Sequence, residues 1–155
     1  MTAAPGPGPI RLLALRDTPL SADEVLAAVG DDTAGGTVLF SGTVRDHDGP
    51  PGGAPVTSLA YSAHPTADVA LRRVAEQVAA AFPVTALAAV HRVGDLRVGD
   101  TAVLVAVACA HRAEAFDACR RLIDDLKREV PIWKRQRFAD GREEWVGAGA
   151  CAAAG

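Results

Sequence analysis

Two lysines are the side chains whose types and spacing most directly suggest chemistry. Lys127 lies near the end of a stretch with apolar residues at helical spacing, and on a helix it lies about 40° from Ile123, within the apolar stripe. Lysine is rarely buried without a partner, so this position is unusual. The alternative is a lysine at the edge of the stripe, near a helix end where the helix dipole favours a cation.

Lys134 follows seven residues later, directly after Pro131-Ile132-Trp133. The proline ends the predicted helix, and Trp133 is expected to anchor the chain so that Lys134 returns toward Lys127. Two converging lysines lower each other's pKa by like-charge repulsion, which is the change that a catalytic amine requires. The alternative is a pair of ordinary surface lysines.

Basic residues also stand at the ends of three predicted strands, namely Arg45, His91-Arg92 and His111-Arg112. His111-Arg112 stand between a buried strand and a helix, where free backbone N–H groups and the helix dipole favour an anion. Arg45 precedes a glycine-rich loop. Each of these alone could be a solvated charge at a strand end. Together they predict a pocket for a small phosphorylated or carboxylated ligand.

Several common catalytic motifs are absent from the sequence. There is no phosphate-binding G-x-x-x-x-G-K, no G-x-G-x-x-G after a strand and no G-x-S-x-G nucleophile elbow. The three cysteines, Cys109, Cys119 and Cys151, contain no C-x-x-C pair and cannot build a disulfide framework, so we expect no structural metal. The acidic pair Asp124-Asp125 is predicted to face solvent. The residues alone therefore predict an anion pocket that contains one or two lysines.

Three helices follow from the hydrophobic pattern. Ser21 and Glu24 form a capping box that opens a short helix, which Gly30 ends. A second helix is predicted over 65–82. The third, over 111–129, has a predicted buried stripe made of Ala115, Phe116, Cys119, Leu122, Ile123, Leu126 and Val130.

The predicted strands span 37–44, 56–61, 84–92 and 101–110, with a hairpin over 137–146 that turns at Asp140-Gly141. The strand over 101–110 is apolar on both faces, so we expect it in the centre of a sheet covered on both sides. Gly42 within the first strand indicates the close approach of another group. Gly94-Asp95 and Gly99-Asp100 are predicted turns, and 45–55 is a predicted loop. Because strands and helices do not alternate strictly, the predicted fold class is α+β.

Length and composition are those of a single globular domain. The chain has 155 residues, of which 49% are hydrophobic and 23% charged. We expect one domain over 10–147, with Pro/Gly/Ala-rich flexible tails over 1–9 and 148–155. Sixteen Lys and Arg against nineteen Asp and Glu give a net charge of −3, which argues against a general nucleic-acid binder. No signal segment and no apolar run of about 20 residues is visible, so we expect a cytoplasmic protein without a membrane span.

Four sequence fragments, in a fixed order, carry a resemblance to a known family. They are F-S-G-T-V-R at Phe40–Arg45, H-R-V-G-D-L at His91–Leu96, A-H-R-x-x-A-F at Ala110–Phe116 and D-x-L-K-x-x-x-P-I-W-K at Asp124–Lys134. This set resembles the catalytic (large) subunit of molybdopterin synthase, the MoaE family, over about residues 36–146.

The resemblance implies an α/β hammerhead fold with an additional small antiparallel sheet, and a homodimer at the centre of a heterotetramer. It implies a sulfurtransferase that needs no cofactor or metal. The partner would be a small ubiquitin-like sulfur-carrier subunit whose C-terminal Gly-Gly tail is a thiocarboxylate. Two sulfurs would pass to cyclic pyranopterin monophosphate and give molybdopterin, in molybdenum cofactor biosynthesis.

The resemblance also implies roles for particular residues. Lys127 and Lys134 match the two active-site lysines of the family, and Arg45, His111 and Arg112 match residues that bind the substrate's phosphate and pterin. The same five residues belong to the anion pocket that residue chemistry predicts.

This chain departs from the family pattern at three places. Gln136 and Ser62 stand where relatives often carry glutamates, and Gly147-Ala148-Gly149 stands where some carry an arginine. Two other functions stay open. One is a non-catalytic dimeric module that binds a ubiquitin-like tail or a phosphorylated metabolite. The other is a lysine Schiff-base enzyme, which would have its amine but no obvious acidic partner for it.

Overall fold

The computed structural model describes residues 8–47 and 52–146, which form three helices and eight strands. The helices are α1 (Ala22–Ala28), α2 (Ala67–Ala81) and α3 (Arg112–Glu129). The strands are β1 (Ile10–Arg16), β2 (Gly36–Thr43), β3 (Val56–Ala63), β4 (Val84–Arg92), β5 (Gly94–Arg97), β6 (Thr101–Cys109), β7 (Ile132–Phe138) and β8 (Glu143–Val146). The predicted C-terminal tail, most of the predicted N-terminal tail and residues 48–51 of the predicted loop lie outside the described residues.

The first sheet has the strand order β1-β4-β6-β2, and only the β1–β4 pair is parallel. β6 is an inner strand, and every residue in Ala102–Cys109 is buried. Val105 and Val107 pack beneath α2 and α3, whereas Ala106 on the opposite face packs against Val25 of α1. The prediction of a central strand covered on both sides is confirmed, and the cause is this layer of helices on each face.

The three helices lie close to their predicted positions. The capping box at the start of α1 is confirmed, because the Ser21 hydroxyl accepts a hydrogen bond of 3.2 Å from the Glu24 N–H. No helix in the described part of the chain is long and apolar enough to cross a membrane.

The buried stripe of α3 differs from the prediction at two residues. Phe116 is 62% exposed, whereas Asp125 is only 2% exposed. The buried face is centred on Ala115, Leu122 and Leu126, which places Phe116 about 100° and Asp125 about 80° from its centre, on opposite flanks. The Asp125 carboxylate is satisfied by Arg128 and by Arg121, whose Nε lies 2.7 Å away.

The second sheet has the order β5-β3-β7-β8 and is antiparallel throughout. The predicted hairpin is confirmed, and Gly141 in its turn has a φ of +85°, which favours glycine. The strand that enters the hairpin begins earlier than predicted, at Ile132. The predicted turn at Gly94-Asp95 was wrong, because these residues start β5 and pair with β3. The α+β class with a small additional antiparallel sheet is confirmed.

β1 was not predicted from the sequence. Its residues, IRLLALR, have no apolar–polar alternation, and its pairing with β4 is irregular between Ile10 and Leu12. As an edge strand it is half-buried along its length, so neither periodicity nor full burial marks it.

Candidate active site

Both predicted catalytic lysines line one pocket at the junction of the two sheets and the end of α3. This cavity of about 100 Å³, called here the lysine pocket, is lined by Gly42, Thr43, Tyr61, His91, Ala102, Val103, Leu126, Lys127, Val130, Ile132 and Lys134. Lys127 and Lys134 are the only two lysines of the 155-residue chain. The convergence predicted from their spacing is therefore present, and it brings together every lysine that the protein has.

The chain between the two lysines explains how they meet. Lys127 lies in the last turn of α3, and the buried side chains of Val130 and Ile132 fix the chain on either side of Pro131. Lys134 then enters β7 opposite Tyr61 of β3. The expected anchor Trp133 is 38% exposed and contacts His64 instead, with 6.0 Å between the ring centroids. The turn is thus held by Ile132 rather than by the tryptophan.

Gly42 forms part of the pocket wall where two elements come close together. A Cβ atom on Gly42 would lie 2.6 Å from the Val103 side chain and 3.3 Å from the Phe40 ring. The close approach predicted from a glycine within a strand is confirmed, and any larger residue would push the neighbouring side chains toward the cavity.

The lysine pocket carries positive charge without an acidic neighbour in its lining. No aspartate or glutamate is among the described residues that line it. Burial lowers the pKa of His91 to about 4; the hydrogen bond to the Arg92 carbonyl opposes this change, and the charge of Lys127 adds to it. The imidazole is therefore neutral near pH 7, and the two lysines make the pocket a site for an anion within an acidic protein.

Arg45 lies at the same end of the first sheet as the lysine pocket. It follows Thr43, which lines the pocket, and the Val44 N–H donates a hydrogen bond of 2.9 Å to the Asp100 carbonyl just before β6. Its side chain is exposed. The structure therefore places the backbone of this predicted anion-binding residue two positions beyond the pocket residue Thr43, and its side chain is not part of the described pocket lining.

His111 and Arg112 lie at the opposite end of the first sheet. Both are exposed at the start of α3, and Arg112 is adjacent to Gly36 at the start of β2. The helix rise puts the backbone of Arg112 about 22 Å from that of Lys127. Because β2 and β6 are antiparallel, the end of β6 lies far from the end of β2. The prediction that all the basic residues at strand ends share one pocket does not hold within a single chain.

His91, which the sequence placed among the basic residues of the predicted anion pocket, lines the lysine pocket, and so does Tyr61, for which the sequence predicted no role. Successive residues of a strand point to opposite faces, so His91 turns into the lysine pocket while Arg92 turns away and pairs with Asp100 at 3.4 Å. The sequence contained the signal for this, since His91 lies four positions after the core residue Leu87 on β4 and therefore faces the same side of the sheet. Among the described residues there is no group of three or more His, Cys, Asp or Glu that could hold a metal ion.

Comparison with known proteins gives a consistent result. The family model of the MoaE protein matches residues 15–129. The chain is 46% identical over 134 residues to molybdopterin synthase catalytic subunit 1 of Mycobacterium tuberculosis, covering 86% of this chain and 88% of that protein.

Two solved structures share the fold. The X-ray crystal structure of molybdopterin synthase from Staphylococcus aureus superposes with a TM-score of 0.79 at 31% identity, covering 86% of this chain and 95% of that one. A complex of subunits 1 and 2 of the molybdopterin-converting factor from Helicobacter pylori superposes with a TM-score of 0.68 at 20% identity, covering 86% and 89%.

Proposed function

This chain belongs to the MoaE protein family, and from that premise we propose that it is the catalytic subunit of a molybdopterin synthase, a sulfurtransferase of molybdenum cofactor biosynthesis. The observation that carries the proposal is the convergence of both lysines of the chain in one pocket, whose described lining residues include no carboxylate. Such a pocket suits an anionic acyl group better than a neutral or cationic substrate.

The proposed partner is a small ubiquitin-like sulfur carrier whose C-terminal Gly-Gly tail ends in a thiocarboxylate. The lysine pocket holds only about 100 Å³, so a tail without side chains suits it. The names of the relatives support a multi-subunit enzyme, because a catalytic subunit acts with at least one other subunit. The complex of two subunits from Helicobacter pylori is a precedent in the same fold.

The proposed chemistry moves sulfur and leaves an ordinary carboxylate on the carrier. The thiocarboxylate sulfur attacks a carbon of cyclic pyranopterin monophosphate and displaces an oxygen substituent, which leaves as water or as a phosphate ester oxygen, so that carrier and substrate are joined as a thioester. Water, or the Lys127 amine followed by water, attacks the acyl carbon, and the carbon–sulfur bond to the carrier breaks with sulfur retained on the substrate. A second carrier repeats the sequence for the second sulfur. Lys127 is the acid–base or nucleophilic group at the acyl carbon, and Lys134 stabilises the developing negative charge.

We assign Arg45, His111 and Arg112 to the phosphate and pterin of the substrate. Arg45 lies near the lysines, but His111 and Arg112 of the same chain do not. We therefore propose that the second copy in a homodimer supplies them. Such a dimer has its two sites between the copies and not within either one.

The edge of the first sheet offers a surface for this dimer. β2 is an edge strand, and its Phe40 side chain is 37% exposed. Phe116 of α3 is 62% exposed. One turn later on the helix, the Cys119 sulfur accepts a hydrogen bond from the Phe40 backbone N–H, which ties α3 to β2 at this edge. A two-fold axis across β2 would run the strand antiparallel to its copy. The partner's Gly36 end, with Arg112 beside it, would then meet the Arg45 end.

The test is a reconstituted reaction of this chain, the thiocarboxylated carrier and cyclic pyranopterin monophosphate, with the product detected by fluorescence after oxidation. We expect product only when all three are present, and none when the carrier ends in an ordinary carboxylate. An established catalytic subunit that turns over the same reagents serves as the positive control. If this chain then binds the tail but forms no product, the non-catalytic binding module becomes the better description of its function. Borohydride trapping of a lysine adduct with a carbonyl compound would favour the Schiff-base enzyme instead.

A further inference from the structure

His91 has a fixed place inside the lysine pocket. It stands near the end of β4, is 8% exposed, and lines the cavity together with Lys127 and Lys134. Its ring meets the ring of Tyr61 edge to face, with centroids 4.8 Å apart and an interplanar angle of 82°. Backbone pairing with β6 and this aromatic contact leave the imidazole little freedom to turn.

The hydrogen bond of His91 defines which ring nitrogen is available. Nδ1 lies 2.7 Å from the Arg92 carbonyl oxygen, which can only accept, so Nδ1 carries the proton. In a neutral imidazole the lone pair is then on Nε2, on the side of the ring away from that carbonyl. Burial keeps the ring neutral, since it lowers the pKa of His91 to about 4.

Titratable groups from three elements surround His91 in the lysine pocket. The titratable side chains around it are Lys127 from α3, Lys134 from β7 and Tyr61 from β3. The positive charge of Lys127 is felt at His91, where it lowers the imidazole pKa further. In the described lining of the pocket, acceptors are otherwise limited to backbone and the hydroxyls of Thr43 and Tyr61. Imidazole is the most basic of these side-chain groups.

Resting on the proposed function, we propose that His91 is a positioning residue whose Nε2 accepts a hydrogen bond from the Lys127 side chain and holds that amine toward the carrier's acyl carbon. A carboxylate in this position would also hold the lysine, but it would cancel its charge and repel an anionic tail. A neutral acceptor orients the amine and leaves both positive charges to the substrate.

Two substitutions separate the two nitrogens of the ring. In His91→Asn the amide can replace the Nδ1–H bond to the Arg92 carbonyl but leaves nothing at the Nε2 position. In His91→Gln the amide oxygen reaches the Nε2 position and can accept from Lys127. We expect His91→Asn to lower kcat by about 10²-fold, the cost of a misplaced reacting group, with the KM for the carrier nearly unchanged. His91→Gln should keep kcat within a few-fold of wild type.

Coupling to Lys127 distinguishes positioning from mere support of the fold. His91→Asn added to Lys127→Ala should cause almost no further loss, because His91 acts through the lysine. Full additivity of the two losses, or equal losses in the Gln and Asn variants with unchanged melting temperatures, would overturn the proposal.

A spectroscopic readout tests the contact independently of turnover. Nitrogen NMR of the full-length protein should show a protonated Nδ1 in His91, and an Nε2 signal that moves when Lys127 is replaced by Ala. An unmoved Nε2 signal contradicts the proposed contact even if the enzyme is active. An inactive wild-type protein with a moved signal would instead overturn the proposed function and leave the contact standing.

Discussion

The two ends of α3 present basic residues in contrasting ways. At its last turn Lys127 lines the lysine pocket between the two sheets, whereas at its first turn His111 and Arg112 are exposed beside Gly36. The length of α3 separates these ends, which lie at opposite ends of the first sheet. In the dimer proposed above, one chain would supply the lysines of a site and the second copy its His111 and Arg112.

The largest effect on the reaction rate is expected from Lys127→Ala, at the C-terminal end of α3. Loss of a general acid–base group costs about 10²–10⁴-fold in rate. The side chain is exposed and fills no core space, so the melting temperature should stay nearly constant. Lys134→Ala should lose less, because it removes charge stabilisation and leaves the amine at the acyl carbon. Single-turnover product formation measures both.

A matched control for these lysines is available on the same helix. Arg120 is 86% exposed and makes only a 3.8 Å pair with Asp124, so Arg120→Ala removes a cation from α3 outside the pocket. It should retain full activity. A rate for Lys127→Ala equal to that of Arg120→Ala would remove Lys127 from the chemistry.

The exposed end of α3 should respond differently, through binding. Arg112→Ala should raise the KM for the precursor roughly tenfold with a smaller change in kcat, since a charge-assisted contact contributes about 1.5–3 kcal/mol. The loss should grow with ionic strength, because salt screens an exposed contact. A fall in kcat at constant KM would move Arg112 to the reacting centre.

Mixing the two variants sharpens the comparison between the ends. Inactive Lys127→Ala chains still have Arg112, and Arg112→Ala chains still have Lys127. If each site takes these residues from different copies, a mixed dimer contains one intact site. Equal mixtures should then recover about a quarter of the wild-type rate at low precursor concentration, since half the dimers are mixed and each has one good site of two. A rate equal to the mean of the separate variants would place both residues in the same copy's site.

The site at the Lys127 end of α3 could be predicted from the sequence more readily than the arrangement at the Arg112 end. Lys127 and Lys134 are related by one helix end, one proline and one strand start, all of which are local. The separation of Arg112 from Lys127 follows from the length of α3 itself. The position of Arg45 at the Lys127 end depends instead on the antiparallel pairing of β2 with β6, and hydrophobic periodicity does not carry strand direction.

Side-chain exposure on α3 also needed the tertiary structure. Phe116 and Asp125 flank a buried face whose centre is set by packing against α2 and the first sheet. From residue type alone, Phe116 is predicted to be buried and Asp125 to be exposed. Two arginines that satisfy Asp125 reverse the second expectation.

His91 makes the stability of the folded protein sensitive to acid. Its pKa is about 4 in the folded protein and near 6.5 when unfolded, so between these values the unfolded chain binds more protons. The contribution of neutral His91 to the free energy of unfolding is therefore complete above about pH 6.5. It is lost as the pH falls toward 4, which lowers the free energy of unfolding by about 3 kcal/mol in total. Urea unfolding of wild type and His91→Gln across this range should show the difference, with the variant losing less stability. Parallel curves would mean that His91 is not the buried neutral group.

The smallest effect on activity is expected from the cysteines, because the sulfur is proposed to come from the partner. Cys109 at the end of β6 and Cys119 on α3 are both buried in the core between the first sheet and the helices. Burial raises the pKa of both thiols, that of Cys119 to about 11. A thiol held in the protonated form is a poor nucleophile and a poor sulfur carrier. Cys151 lies outside the described residues. Replacing all three with Ala should leave carrier-dependent turnover largely intact, at a stability cost of about 1 kcal/mol for each buried position. Turnover that disappears in a folded Cys151→Ala chain would place the sulfur donor on this protein, and the lysine pocket would then have to receive sulfur from its own chain rather than from a carrier's tail.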